Sequence, residues 1–330
     1  TYHALLQESQ SLEVAALVDP TDLQVPSPVG SPLDEIGDLD LVGLQVDPIV
    51  ESLVSEDLRQ NELFFPMELR DGVLQFVDFY QGRRGRRIME KGLRVSGRYI
   101  NMFRRVFREE GVPEELVYMA QVESLFNPRA TSRARAKGIW QFMSGTARIY
   151  GLKVGWWLDE RMDVEKSTRA AAQHLSELYE EFQDWPLVLA GYNAGPGRVR
   201  RNLRRYGEMD FWTMAERKLL PRETRNHVPS ILAAILIFRN PERYGFEVVP
   251  DPELIFDRAS VEYVVDLKVL AEELEVPVEE LRDLNPELAR DVTPLQNKPF
   301  SLRVPPGRAE DLEKILAELP EEKRLKWAHY

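Results

Sequence analysis

Between Glu123 and Met143 the chain runs Glu-Ser-Leu-Phe-Asn-Pro, then a loop of small and basic residues, then Gly-Ile-Trp-Gln-Phe-Met. Leu116, Val117, Met119 and Ala120 predict a helix that ends at about Glu123, and Asn127-Pro128 marks its exit. Such an end delivers a carboxyl group into aromatic surroundings, the setting for acid catalysis on a sugar. A glutamate standing alone at a helix end is usually a surface charge, so the weight falls on what accompanies it. Other chemistries find little support. The histidines at 3, 174, 227 and 328 form no short-spaced pair and there is no cysteine, which argues against a metal centre and against thiol chemistry. No Gly-x-Ser-x-Gly elbow is present. Asp159, Glu160 and Asp163 are candidates for a second carboxylate, whereas His174 reads as a packed or partly exposed histidine on a helix.

The elements that must position Glu123 are helical. Apolar residues at 73, 74, 76, 77 and 79 predict a buried helix over Gly72–Tyr80, and Tyr99, Met102, Phe103, Val106 and Phe107 predict another. Gly111 ends the latter, and Pro113 with Glu114 and Glu115 opens the helix that leads to Glu123. Short and long helices are expected over Ser144–Tyr150 and Asp163–Phe182, and an apolar helix closes Leu219–Phe238. The Gly82–Arg87 run reads as a basic loop without the alternating aromatics of a nucleic-acid binder. Gly191–Gly197 reads as a glycine-rich turn; no Gly-Lys-Ser/Thr follows it, so it is not a phosphate loop. No strand signal occurs in 61–245. The tail changes character: a strand over Val261–Val265, helices over Leu267–Leu274 and Val278–Leu284, a strand over Phe300–Val304, and a last helix over Ala309–Leu319.

These readings divide the chain into an acidic, Pro-rich extension (1–60), a mainly α domain (61–246) and a small α/β unit of strand-helix-helix-strand order with a C-terminal helix (247–330). Charge follows the same division. Residues 1–58 hold 12 acidic and no basic residues, 59–246 hold 32 basic and 23 acidic, and 247–330 hold 11 basic and 20 acidic. A basic middle between acidic ends suits an anionic partner, although charge also serves solubility alone. The extension is expected to lie poorly folded or wrapped on the basic middle through patches such as Leu39-Asp40-Leu41-Val42. The chain begins at Thr1 without a signal-like apolar segment. We read it as a processed or trimmed form, with any targeting signal or lipid anchor outside it.

Four stretches in order, Glu123-Ser124-x-x-Asn127-Pro128, Gly138-Ile139-Trp140-Gln141-Phe142-Met143, Gly191-Tyr192-Asn193-Ala194-Gly195 and Glu223-Thr224-Arg225-Asn226-His227-Val228-Pro229, resemble the lytic transglycosylases of bacterial cell walls. The likeness is strongest to the membrane-bound type D branch of the goose-lysozyme-like superfamily and covers about residues 70–246. It implies a lysozyme-like helical catalytic domain that acts on peptidoglycan glycan strands in the periplasm or cell envelope, with no cofactor and no nucleic acid. By the same resemblance Glu123 is the catalytic acid, Ser132 positions the reacting sugar, and Gln141 and Met143 contact the glycan. Tyr192 faces the catalytic carboxyl, Asn193 begins the turn that presents it, and Glu223 borders the cleft. Structural readings stand beside these: Met143, Asn193 and Gly195 as scaffolding, Ser132 as a loop holder, Glu223 as a partner of Arg225. Arg135 stands where these enzymes often have glycine, and His227 where tyrosine is usual. The tail resembles a degenerate LysM module that lacks the usual Gly-Asp-Thr turn, which leaves glycan binding and a packing role both open.

A single glutamate suffices for the family's chemistry. It protonates the glycosidic oxygen and then takes the proton of the sugar's own C6 hydroxyl, giving a 1,6-anhydro product without a second carboxylate to activate water. Trp140, Phe142 and Tyr192 are expected to give the sugar rings apolar faces. Two rivals remain: a lysozyme-type hydrolase on the same fold, and a catalytically silent peptidoglycan-binding protein.

Overall fold

The computed structural model describes residues 36, 39, 45–60, 69–294 and 298–324. The Pro-rich stretch, Asp40–Val42, the expected start of folding at Asn61 and the Lys326–Tyr330 end lie outside the described residues. The described residues are mainly helical, with one small sheet. In order come α1 (Pro48–Gln60), α2 (Asp71–Gln81), α3 (Arg83–Ser96), α4 (Ile100–Glu109), a 3₁₀ turn (Glu114–Tyr118) and α5 (Met119–Ser124). They are followed by α6 (Ser144–Ile149), α7 (Val164–Phe182), α8 (Trp185–Ala194), α9 (Pro196–Tyr206), α10 (Phe211–Glu216) and α11 (Arg222–Arg239). The tail holds β1 (Asp257–Val261), α12 (Leu267–Leu274), α13 (Val278–Leu284), β2 (Phe300–Val304) and α14 (Ala309–Glu318).

Several starts are written in the sequence as aspartate caps. Asp163, Asp184, Asp210 and Asp266 each accept backbone N–H groups of the first turn that follows. Two loop expectations fail. In the Gly82–Arg87 run only Gly82 is extended, and Arg83–Arg87 form the first turns of α3. A side chain at Gly85 would stand 2.1 Å from the Phe79 carbonyl oxygen, so glycine lets α3 close on α2, while Arg83, Arg84 and Arg87 are exposed and Arg86 lies over the Phe246 ring. Gly191–Ala194 belong to α8, and the turn is confined to Gly195 at φ +83. Glycine serves at 191 within the helix because the Phe182 ring packs where a side chain would stand.

Two hydrophobic clusters form among the described residues. The larger joins α1 to α11 around Phe103, Phe107, Phe126 and Trp140, and Val50 and Val54 of α1 lie within it. Ile36 is buried there too, and the Leu39 carbonyl accepts hydrogen bonds from Arg222 Nε (3.2 Å) and Asn226 Nδ2 (2.9 Å). The smaller cluster belongs to the tail, where β1 and β2 pair antiparallel with Asp257 opposite Val304 and Val261 opposite Phe300. The first strand thus precedes the expected Val261–Val265. Val264 and Val265 are buried as a connection into α12, so their burial imitates a strand signal.

Candidate active site

Glu123 sits in the last turn of α5. Leu125 and Phe126 then both take left-handed backbone (φ 55 and 58), an unfavourable pair for residues with side chains. Two amides close this end, Leu125 N–H to the Gln121 carbonyl and Phe126 N–H to the Ala120 carbonyl. The Phe126 ring, fully buried against Phe103 and Phe238, offsets the strain. Ser124 Oγ donates to the Ile139 carbonyl at 2.9 Å and so ties the acid's helix to the Gly138–Met143 segment.

All the residues singled out above, Glu123, Ser132, Gln141, Met143, Tyr192, Asn193 and Glu223, line one cavity of about 700 Å³. Glu123 is 2% exposed, and its Oε1 lies 2.8 Å from Nε2 of His227, itself fully buried. Tyr192 donates its hydroxyl to the Trp140 carbonyl at 2.8 Å. Burial holds that hydroxyl far above the ordinary tyrosine range, and the charge of Glu123 adds to the effect, so it stays a donor. Gln141, at φ 48, donates Nε2 to the Gly138 carbonyl at 2.8 Å; its buried Oε1 accepts no hydrogen bond among the described residues. Ser132 Oγ accepts the Ala136 amide at 3.1 Å, which leaves its own hydrogen to donate. Met143, 48% exposed, forms a lip at the start of α6. Asn193 Nδ2 donates to Glu223 Oε1, and its Oδ1 accepts from Thr224, which locks the end of α8 to the start of α11. Glu223 is therefore engaged by Asn193.

The cavity wall also holds Tyr150 and His174, which the sequence reading did not place in the site. Tyr150 donates to Glu177 Oε2 at 2.6 Å and lies 2.8 Å from His174 Nδ1. Burial pushes His174 down to about 4, so its ring is neutral near pH 7, and burial followed by Glu177 holds the Tyr150 phenol above its ordinary range. His227 had a legible signal: it lies four residues after Glu223 on one helix, which puts both on one face. His174 had none beyond its place on an amphipathic helix.

One apolar expectation fails. Trp140 is fully buried between Phe103 and Phe107, with Nε1 donating to Thr168 Oγ1, and belongs to the core rather than the cavity. Phe142 and Tyr192 do line it. Asp159, Glu160 and Asp163 lie outside the lining and are engaged elsewhere. Asp159 takes a two-pronged contact from Arg161, Glu160 holds Lys166 and the Lys153 amide, and Asp163 caps α7 and meets Arg303. Arg135 has φ 63, the left-handed backbone that glycine would take without strain.

Residues 101–215 match the family model of the transglycosylase SLT domain, and residues 255–321 that of the LysM-like domain of lytic transglycosylase MltD. Two successive stretches of the chain are thus similar to an SLT domain and to a LysM-like domain. Over 216 residues it is 36% identical to the membrane-bound lytic murein transglycosylase D of Escherichia coli (strain K12), covering 64% of this chain and 47% of that relative. It is 30% identical over 148 residues to the soluble lytic murein transglycosylase of the same strain, covering 43% of this chain and 23% of the relative. The chain thus spans less than half the length of these relatives. Among solved structures, a soluble lytic transglycosylase of Escherichia coli aligns with a TM-score of 0.38 at 28% identity, over 44% of this chain and 24% of that one. The lytic transglycosylase Slt of Pseudomonas aeruginosa aligns at 0.40 and 21% identity, over 63% and 39%.

Proposed function

We propose that this protein is a peptidoglycan lytic transglycosylase of the cell envelope that cleaves the MurNAc–GlcNAc β-1,4 bond without water. The observation that carries the reading is the buried Glu123, set in the cavity wall beside His227 and facing a space lined by Phe142, Tyr192, Ser132 and Gln141. In this scheme the protonated Glu123 gives its proton to the glycosidic oxygen as the bond from C1 to that oxygen breaks. The leaving sugar departs with a 4-hydroxyl. The Glu123 carboxylate then takes the proton of the C6 hydroxyl as that oxygen bonds to C1, which yields a 1,6-anhydromuramyl end and restores the acid. The N-acetyl group of the sugar stabilises the positive charge at C1. The Ser132 hydroxyl, whose oxygen already accepts the Ala136 amide, and the Gln141 side chain of the cavity lining orient the ring. The excess of basic residues over 59–246 suits the carboxylates of peptide stems.

A lipid anchor outside this chain would fit the membrane-bound relative; among the described residues no helix is long and apolar enough to cross a membrane. The test is mass spectrometry of soluble fragments released from purified peptidoglycan. Anhydro-muropeptides are expected from the parent, and a loss of about 10²–10⁴-fold from Glu123→Gln. Reducing ends would instead mean a hydrolase, with Glu177 or Glu223 as the carboxylate to examine. Wall binding with no fragments from the parent would mean a binding protein.

A further inference from the structure

The LysM-like unit is packed onto the catalytic part through charge as well as apolar surface. Arg303, in β2, is 3% exposed and reaches two acids at 2.8 Å, Glu287 Oε1 and Asp163 Oδ2, besides the half-buried Glu165 Oε2 at 3.5 Å. Both acids are themselves buried, and they stand on opposite sides of the junction: Glu287 follows α13, and Asp163 caps α7. The backbone repeats the connection. Asp159 N–H donates to the Glu287 carbonyl, Ala289 N–H donates to the Trp157 carbonyl, and Leu158 is buried in the accessory unit's own cluster. Segment 157–163 therefore belongs to the catalytic part by sequence and to the accessory unit by contact.

That segment also holds the cavity loop. Arg161, 5% exposed, is fixed by two bonds to Asp159, and its Nη1 donates to the carbonyls of Arg135 (3.1 Å) and Phe142 (3.2 Å). Those carbonyls belong to the turn that carries Ser132 at one end and Gln141 and Met143 at the other. The Arg161 carbonyl oxygen lies against Gly138, 1.8 Å from where a side chain would begin.

We propose that the LysM-like unit is a fixed brace for the substrate loop, with Arg303, Glu287 and Arg161 as positioning residues for sugar binding. A unit serving only as a tethered glycan collector needs no buried guanidinium shared with the catalytic part. The proposal rests on reading the cavity as a glycan-cleaving site, and one of its two tests does not depend on that reading.

The experiment uses the full chain and a triple variant, Asp163→Asn, Glu287→Gln and Arg303→Met. Its side chains keep their approximate volumes, Asn can still cap α7, and no single charge is left buried alone. Hydrogen exchange by mass spectrometry is followed at the paired amides of Ser132, Lys137, Gly138 and Phe142. We expect exchange there to quicken by about 10-fold or more, although no altered residue lies in that loop. On soluble glycan chains KM is expected to rise by a similar factor while kcat changes less than about 3-fold, and Arg303→Lys alone, whose one nitrogen cannot hold both carboxylates as the guanidinium does, to fall between the parent and the triple variant in both readouts. Faster exchange confined to 157–163 and 284–304, with the loop and KM unchanged, overturns the brace. If the parent cleaves no glycan, the cleavage reading fails, and the exchange result alone decides the brace.

Discussion

His227 presents Nε2 to Glu123, while its Nδ1 has no partner among the described residues. A buried N–H left without an acceptor is rarer than a bare lone pair, which places the ring proton on Nε2 and makes His227 the donor. A hydrogen bond to a charged group contributes about 1.5–3 kcal/mol. His227→Phe is therefore expected to lower the rate of fragment release about 10–100-fold, and His227→Tyr, which keeps a donor, to recover most of it; timed release from purified peptidoglycan checks both. His174 carries the pH dependence of the same wall. Its folded-state value, about 4, lies below its ordinary 6.5. Between the two values the unfolded chain holds a proton that the folded chain lacks, so this contribution to stability is complete above pH 6.5 and is lost as pH falls towards 4. His174→Gln is expected to flatten the fall in melting temperature between pH 7 and pH 5, measured against the parent. At this scale the motifs bring seven candidates to one cavity, yet they cannot say which neighbour in Ile139-Trp140-Gln141-Phe142 turns inward. The left-handed Gln141 backbone, set by the loop, decides that.

Gly138 and Gly195 show how similar sequence signals differ as elements. Both have positive φ (84 and 83), but a side chain at Gly138 meets the Arg161 carbonyl oxygen at 1.8 Å, whereas at Gly195 nothing lies within 4 Å. Gly195→Ala is expected to cost only the conformational term, about 1 kcal/mol, while Gly138→Ala adds the displacement of backbone against backbone and costs about 2–4 kcal/mol. Urea unfolding separates the two, and fragment release should fall only for Gly138→Ala. The helices of the tail were legible almost to the residue, because Asp266 and Pro277 open them and apolar spacing fills them. The Gly82–Arg87 run was not, because glycine and arginine read as a turn until Gly85 is seen pressed against Phe79.

Across the whole molecule the mainly helical architecture and the small strand-helix-helix-strand tail follow from local pattern, and the junction does not. Asp163 and Arg303 are 140 residues apart, and each alone reads as an ordinary charge. Once they are paired, breaking the contact would leave buried carboxylates unmatched at a cost of about 3–5 kcal/mol. The two hydrophobic clusters are thus expected to melt together, and calorimetry of the full chain should show one transition with matching calorimetric and van't Hoff enthalpies. Burial pushes the Glu287 carboxyl above its ordinary range, Arg303 pulls it back, and the nearby charge of Asp163 adds to the rise.

The buried guanidinium of Arg303 also limits how such chains can be recombined. Joined at the connection before β1, a catalytic part transplanted beside a foreign accessory unit would bring Asp163 with no cation to meet it. Only donors with an arginine at the fourth position of the second strand would fit. In lineages and in engineered chimaeras alike, the two halves are expected to travel as an inherited pair rather than as interchangeable beads.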